Sequence, residues 1–469
     1  MDYRRLDNED LKHFASFLKE SEIITNPEER EPYGHDETED YQFSPDLVLK
    51  PSNAEAVANI LKHCNDRWIP VYTSGARTGL SGGALPVYGG VVLSTEKLNR
   101  IIEIDERNLQ ATVEPGVINQ VFHEACKEKG LFYPPDPSSW GSCSLGGNLA
   151  LNAGGPKAVK YGVTNAYVLD LEVALADGAL IRTGARVLKN STGYNLTQLM
   201  VGSEGTLGII TKAVFRLIPY PQQDRLMLIP FQSAEKACEA VSAIFQAGIT
   251  PSAMEFMERD AIDYTLQYVD DVSLPIGPEV QAHLLIEVDG NNAEVLMQDC
   301  MAIADIVEGF EAGEVLFAES AQEKAALWKL RRKVGEAVKS HSIYKEEDTV
   351  VPRAELAKLL RVVKELGAKY GFHSVCYGHA GDGNLHVNIL KNEMSDQAWK
   401  EDLPKGIREL FQKVKELGGT ISGEHGIGYV QKDYMDVVFN EAELQIQRSI
   451  KKIFDPQEIL NPGKLFPNK

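Results

Sequence analysis

Two imidazoles bracket a Gly-Asp-Gly turn in His379-Ala-Gly-Asp-Gly-Asn-Leu-His386, and a carboxylate beside a third imidazole, Glu424-His425, lies in the later block Gly423-Glu-His-Gly426. A lone histidine usually needs no chemistry to explain it. Two histidines with one carboxylate form a donor set that leaves positions open on a divalent ion such as Zn²⁺, Mn²⁺ or Fe²⁺. His379, His386 and Glu424 are therefore candidate metal ligands. His425 adjoins one of them and is either a free imidazole that takes a proton near neutral pH, or a fourth ligand or its partner. His386 opens the strand-like run LHVNIL, and Asn388 two residues on faces the same way.

Glycine-rich loops suggest a second kind of chemistry. Ser74, Gly75, Ala76, Arg77, Thr78, Gly79 and Leu80 lead to Gly82 and Gly83 directly after the strand-like IPVYT. Consecutive backbone N–H groups in such a loop can cradle a phosphate. The pattern lacks the GK[ST] of a P-loop, and a strand rather than a helix follows it, so it is no dinucleotide fingerprint. Alone, it reads equally well as a turn between strands. A second, nearly chargeless stretch, Gly141 to Gly155, changes that reading, because two such loops can enclose a large, flat, phosphate-bearing cofactor.

The blocks SGARTGLSGGALP, YPPDPSS, GSCSLGGNLALNAGG, KYGVT, GSEGTLGII, HAGDGNLH, ISGEHGIG and NPGK occur in that order from Ser74 to Lys464. In this the chain resembles the FAD-linked oxidase family, which includes the glycolate oxidase FAD subunit, D-lactate dehydrogenase and D-2-hydroxyglutarate dehydrogenase, within the vanillyl-alcohol-oxidase-type flavoproteins. The resemblance implies an α+β, two-domain FAD-binding fold with a ferredoxin-like substrate cap. It implies FAD with its pyrophosphate on the first loop. The remaining cofactor contacts would come from Pro135, Asp136, Gly141, Ser142, Gly146, Gly147, Asn148, Asn152, Ala153 and Gly154, then from Tyr161, Gly162, Glu204, Gly208, Ile209, Ile210 and Asn461. Arg77 departs from the family, whose members more often carry a small residue there. Covalent flavin attachment in the wider group uses His or Cys. Only Cys143 offers one in the second loop and the first has neither, so the FAD is expected to be non-covalent.

The same resemblance implies oxidation of a small anionic D-2-hydroxy acid to the 2-oxo acid. His425 would be the base, the metal set would hold the substrate, and Arg331, Lys345 and Asn388 would bind its carboxylate or hydroxyl. Arg332 and Lys333 read as a solvated helix face. Gly335 stands where relatives specialised for D-2-hydroxyglutarate place a hydroxyl residue, which favours D-lactate or glycolate over that acid. A flavin-binding transferase like alkylglycerone-phosphate synthase, or a non-catalytic flavin- or metal-binding protein, would not need the GDGN and GEHG blocks. With no CxxC pair for an iron–sulfur cluster, electrons must leave through a quinone, a cytochrome, an electron-transfer protein, a dye or oxygen.

The elements that would position these residues alternate regularly. Residues 1–45 read as a lead-in, with seven acidic residues among the thirteen from Glu28 to Asp40 forming a solvated run. A FAD domain follows over 46–223. Ser52 and Glu55 give a capping-box signature for a helix carrying Val57, Ile60, Leu61 and Cys64 inward, and a second helix near 117–129 turns Val117, Val121, Phe122 and Ala125 inward. The cap domain, 224–410, reads β-α-β-α-β-α-β, one antiparallel sheet with helices on one face. Residues 411–469 return to the flavin.

Composition removes other classes. The 469 residues hold 48 Lys and Arg against 68 Asp and Glu, a net charge of −20, opposite to what phosphate neutralisation by a nucleic-acid binder needs. The longest uncharged stretch, Pro137 to Pro156, is rich in Gly, Ser and Asn rather than apolar, so no membrane span is expected. No signal peptide is visible in MDYRRLDNEDLKHF. The six dispersed cysteines fit reduced thiols in the cytoplasm, with membrane association left to a partner. A homodimer remains open.

Overall fold

The computed structural model describes residues 3–38, 41–270, 274 and 276–467. The chain forms two compact units, one of Met1–Gly154, Val163–Tyr220 and Glu424–Lys469, the other of Gly155–Gly162 and Pro221–Gly423. The returning segment thus begins at Glu424 rather than 411, because the amphipathic helix Leu403–Glu416 packs on Leu356–Tyr370 within the second unit. Residues 155–162 belong to the second unit through charge. Lys157 pairs with Glu287, and Lys160 Nζ lies 2.6 Å from Asp289.

In the first unit a four-stranded sheet runs Ile23–Ile24, Leu47–Leu49, Val91–Ser94, Val71–Ser74, the last three parallel. Helix Ala54–Asp66 buries Val57, Ile60, Leu61 and Cys64 against Leu47, Leu49, Val71 and Leu93. Its cap is Asn53, whose side chain accepts from Ala56 N, and not Ser52. An antiparallel sheet follows in the order Ile101–Asp105, Gln110–Val113, Ile209–Arg216, Val168–Ala174, Leu180–Arg182. Helix Asn119–Glu128 buries Phe122 and Cys126, but Val121 is exposed. At 100° per residue it lies well off the face shared by 122 and 126.

The lead-in is not merely solvated. Helix Asn8–Ala15, closed by an Asp7/Asp10 capping box, drives Phe14 into the same core as Leu47, and Leu18 follows it. In the acidic run Tyr33 and Asp36 are buried; Glu39 and Asp40 lie outside the described residues.

The second unit is built on a seven-stranded antiparallel sheet ordered Leu316–Phe317, Gln223–Phe231, Ala282–Gly290, Ala253–Glu258, His373–Gly378, Asn384–Leu390, Tyr344–Val350. Helices cover both faces, not one. Arg259–Tyr268 and Ala321–Lys339 pack on Met257, Val375 and Tyr377, while Leu356–Tyr370 sends Lys364 Nζ to Glu258 and Ser374 O on the opposite face. Every residue of Ala253–Glu258 and Asn384–Leu390 is buried, the pattern of strands shielded on both sides. Among the described residues no helix is long and apolar enough to cross a membrane, and all six cysteines are buried free thiols.

The tail closes the first unit. Val71 N donates to Ile459 O and Asn461 N to Val71 O, each at 2.8 Å, so residues 459–461 extend the sheet edge. Beyond them Lys464 is buried, donating to Leu85 O at 2.7 Å and to Asn461 Oδ1 at 3.1 Å. Burial pushes its pKa down to about 7, below the roughly 10.4 of an unfolded chain. A depressed lysine contributes stability at high pH that is lost as pH falls toward the folded value. Thermal and urea unfolding should therefore show stability rising by up to about 1.4 kcal/mol per pH unit between pH 7 and 10. Lys464→Met should flatten the rise, and an unchanged slope in that variant would place the effect elsewhere.

Candidate functional site

In the second unit the chemistry gathers around one carboxylate. Glu255 is wholly buried on the strand Ala253–Glu258. His379 Nδ1 lies 2.9 Å from both its oxygens, and Arg331 Nη2 lies 2.6 Å from Oε2. Burial alone would raise the Glu255 pKa, but the charges of His379 and Arg331 outweigh it and hold the acid below its ordinary range. The carboxylate fixes the His379 ring by its Nδ1 side, as carboxylates orient metal-binding histidines. The ring of His386 lies edge-on at 5.4 Å between centroids.

The turn joining these histidines requires Gly383, which has φ +76° and no room for a β-carbon, since one would meet Val351 O at 2.0 Å. Asp348 organises the neighbouring strand ends. It accepts from Asn384 Nδ2 at 2.8 Å, Ser422 Oγ at 2.9 Å and Gly423 N at 2.7 Å, and lies 3.7 Å from His386 Nδ1. Glu424, the expected third ligand, is covalently the next residue after Gly423.

The expected substrate residues divide. Arg331 is 3% exposed, and despite its close ion pair neither Nε nor Nη2 completes a hydrogen bond. Asn388 is fully buried. Its amide comes near enough to the Tyr377 hydroxyl to oppose that group's raised pKa, yet neither amide atom completes a hydrogen bond. A buried polar atom left unsatisfied costs about 1–3 kcal/mol, and unmet donors on Arg331 and Asn388 are what a carboxylate ligand would satisfy. Lys345 does not join them. It pairs with Ile389, whereas Glu346 pairs with Asn388 and Asp348 with His386, and alternation turns Lys345 to the opposite face of the sheet. Glu255, Tyr377, Glu346 and Asp348 are additions to the expected set. Acidic residues inside strands, the glutamates of the otherwise apolar AMEFME and the charged run of YKEEDTV, were the signal, because such charges are buried only when paired.

In the first unit the two glycine loops meet. A β-carbon on Gly75 would lie 2.6 Å from Ser144 Oγ, while the space beside Gly79 is open. Ser81 Oγ is buried with no hydrogen-bond partner. Open glycine backbone and an unmet hydroxyl fit a phosphate. Arg77 has φ 61° and lays its guanidinium over the Tyr33 ring at 4.4 Å. Ala76, Thr78, Leu80, Gly82 and Gly83 complete this loop, and Gly83 O accepts from Asn461 Nδ2 at 3.0 Å.

The second loop is partly helical. Leu145–Leu151, containing Gly146, Gly147 and Asn148, is capped by Ser144 and ends on Asn152 in the left-handed region. Gly141 and Ser142 precede it, and Ala153 and Gly154 follow. Pro135 O accepts from Asn119 Nδ2 at 3.0 Å, and Asp136 beside it is buried. Gly208 packs on Val173, and Ile209 and Ile210 open a strand. Tyr161 and Gly162 belong to the second unit, where the Tyr161 hydroxyl donates to Asp289 at 2.8 Å.

Glu204 acts as a clamp. It is buried with φ 53°, and its carboxylate accepts from Ile427 N at 2.8 Å and Gly428 N at 2.7 Å. Burial raises its pKa to about 6, against the two amide bonds. The clamp holds the segment that carries Glu424 and His425, both half-buried.

Models of two families match the chain, "FAD linked oxidases, C-terminal domain" over residues 220–465 and "FAD binding domain" over 45–184. It is 40% identical over 438 residues to glycolate oxidase subunit GlcD of Bacillus subtilis, covering 92% of each chain. It is 36% identical over 468 residues to a D-lactate dehydrogenase of Anaerostipes hadrus, covering 99% of this chain and 98% of that one. Among solved structures p-cresol methylhydroxylase superposes with a TM-score of 0.80 at 18% identity, over 98% of this chain and 96% of that one. The fold is thus of the vanillyl-alcohol-oxidase type.

Removing one partner of a buried charge cluster costs about 3–5 kcal/mol, because the others remain uncompensated. Glu255→Ala should lower the urea-unfolding free energy by about that amount. A loss under about 1 kcal/mol would mean that solvent already screens Arg331 and His379.

Proposed function

Because the chain belongs to the FAD-linked oxidases, we propose that it oxidises a D-2-hydroxy acid, with D-lactate or glycolate favoured, to the corresponding 2-oxo acid. The observation that carries the reading is the buried trio of Glu255, His379 and Arg331, with unmet donors on Arg331 and on Asn388 nearby in the same unit. A protein that only stored flavin would have no use for a desolvated guanidinium whose Nε completes no hydrogen bond.

The glycine loops at 74–83 and 141–154 would hold FAD non-covalently, and when bound it supplies a two-electron acceptor. His379, His386 and Glu424 would hold a divalent ion, which lowers the pKa of a hydroxyl it polarises. Arg331 takes the substrate carboxylate, since a planar guanidinium can meet both oxygens, and Asn388 orients the carboxylate or hydroxyl. His425 would accept the proton of the substrate hydroxyl, and the bound flavin would supply the two-electron acceptor for the oxidation. An imidazole with a pKa near the working pH suits that transfer. Glu204 serves this step indirectly, by holding the amides that follow His425. The electrons then pass to an outside acceptor, for which an artificial dye substitutes in assay.

Anaerobic addition of D-lactate or glycolate should bleach the bound flavin, and acid precipitation should leave the yellow colour in the supernatant. Colour in the pellet would indicate a covalent bond. Prolonged chelation should abolish turnover while FAD stays bound, and Zn²⁺ or Mn²⁺ should restore it; full activity in metal-free protein would remove the ion from the reading.

Two substitutions should fail differently. His425→Ala should lower kcat by about 10²–10⁴-fold with little change in binding. Arg331→Ala should weaken substrate affinity by roughly 30- to 1000-fold, with Arg331→Lys recovering only part, because an ammonium cannot supply the fork. Normal turnover by His425→Ala would refute the assignment of the base.

A further inference from the structure

Within the first glycine loop Arg77 stands in the left-handed region, at φ 61°, where a residue with a β-carbon is strained. Such strain persists only where surrounding contacts over-determine it. Here those contacts come from the lead-in. The Arg77 guanidinium lies 4.4 Å from the Tyr33 ring centroid, and its Nη1 turns back to donate to Ser74 Oγ at 3.4 Å. Tyr33 is itself fixed, since it packs with Val48, Tyr72 and Val92 and its hydroxyl donates to Glu96 at 3.1 Å. Lys50 pairs with the same carboxylate and lies 5.5 Å from the same ring. Burial would raise the Glu96 pKa, but Lys50, the Tyr33 hydroxyl and the charge of Arg77 hold it below its ordinary range. Two further bonds join the same segments. Glu37 N donates to Gly79 O at 3.1 Å, and Ala84 N donates to the buried Asp36 carboxylate at 3.4 Å. Residues 33–37 therefore meet the loop at Arg77, at Gly79 and just past its end, while the space beside Gly79 stays open.

We propose that residues 33–37 are part of the flavin site, and that Arg77 is a positioning residue acting through Tyr33 rather than a ligand of the cofactor's phosphate. The proposal rests on the assignment of the 74–83 loop to FAD. A loop held in its binding conformation beforehand loses less freedom when the ligand arrives, and the gain appears mainly as slower release. A guanidinium stacked on an aromatic face contributes enough to change that balance by roughly 2- to 30-fold.

Release of FAD from diluted holoenzyme, followed as the rise in flavin fluorescence, tests it. Arg77→Asn keeps a residue that tolerates the left-handed backbone and loses the guanidinium. Tyr33→Met fills the core without an aromatic face. Each should release FAD roughly 2- to 30-fold faster than wild type. The double variant should be no faster than the faster single one, because both remove one contact. Tyr33→Phe keeps the ring and should stay within about 2-fold of wild type. Glu37→Pro, at an exposed residue, removes the amide that Gly79 O accepts and should hasten release about 2- to 10-fold; it stands in for Tyr33→Met should that variant not fold. Faster release by Arg77→Asn, with Tyr33→Met and Glu37→Pro both unmoved, would make Arg77 a direct phosphate ligand and overturn the proposal. So would effects of Arg77→Asn and Tyr33→Met that multiply in the double variant, or release unmoved in every variant. Gly79→Glu sets a carboxylate in the open space of the loop and should leave the protein without flavin. Flavin bound by Gly79→Glu at the wild-type level would remove the phosphate from this loop; if that variant loses flavin and the others release it as wild type does, the positioning role alone falls.

Discussion

A carboxylate with no access to water organises the second unit. Moving such a charge out of water costs several kcal/mol even after relaxation, so Glu255 is tolerable only where cations are delivered to it. Arg331 comes from the long helix Ala321–Lys339, and His379 from the turn after His373–Gly378. That requirement explains why His373–Gly378 lies beside Ala253–Glu258, although several helices and strands and more than a hundred residues separate them in sequence. It also explains why function and stability cannot be separated there. The pairing that orients the histidine and the guanidinium is the pairing that makes the buried acid bearable.

The first unit solves a related problem with backbone groups. Glu204 stands in a strained left-handed conformation and spends its carboxylate on the amides of Ile427 and Gly428. Gly428 can lie against Ser81 O only because it has no side chain. Asn461 then ties Gly83 O to Glu204 O. Three segments far apart in sequence, the first glycine loop, the GSEG turn and the tail, are thereby fixed by hydrogen bonds that mostly involve main chain. Such contacts constrain position more than side-chain identity, which is why short glycine-rich blocks recur in this chain at the places where segments converge.

Much of this was legible in the residues. The alternation of strands and helices, the face carrying Val57, Ile60, Leu61 and Cys64, and the pair of histidines around a glycine turn all follow from spacing and side-chain type. What was not legible depends on partners distant in sequence. The cap at Asn53 rather than Ser52 turns on backbone detail one residue wide. The docking of Phe14 and Leu18 was hidden because an acidic stretch follows them and the strands they cover come later. Helices on both faces of the larger sheet could have been inferred from its unbroken buried strands, but the βα order alone suggested one face. Glu255 carried a signal, an acid within an apolar strand, without an indication of which cations would meet it.

The register of Tyr344–Val350 shows how much can turn on a single residue. Side chains alternate along a strand, so a shift of one position reverses the face on which every group appears. In Tyr-Lys-Glu-Glu-Asp the sequence places a cation and an anion next to each other, and a search for positive charge to bind an anionic substrate selects Lys345. Pairing with Asn384–Leu390 selects Glu346 instead, opposite Asn388. The consequence is chemical rather than geometric. With lysine in that register position a further cation would stand opposite Asn388. With glutamate there, the group opposite Asn388 is an acceptor already engaged by the Tyr377 hydroxyl. The sign of the charge at that position is therefore set by strand register, which no count of basic residues along the chain could supply.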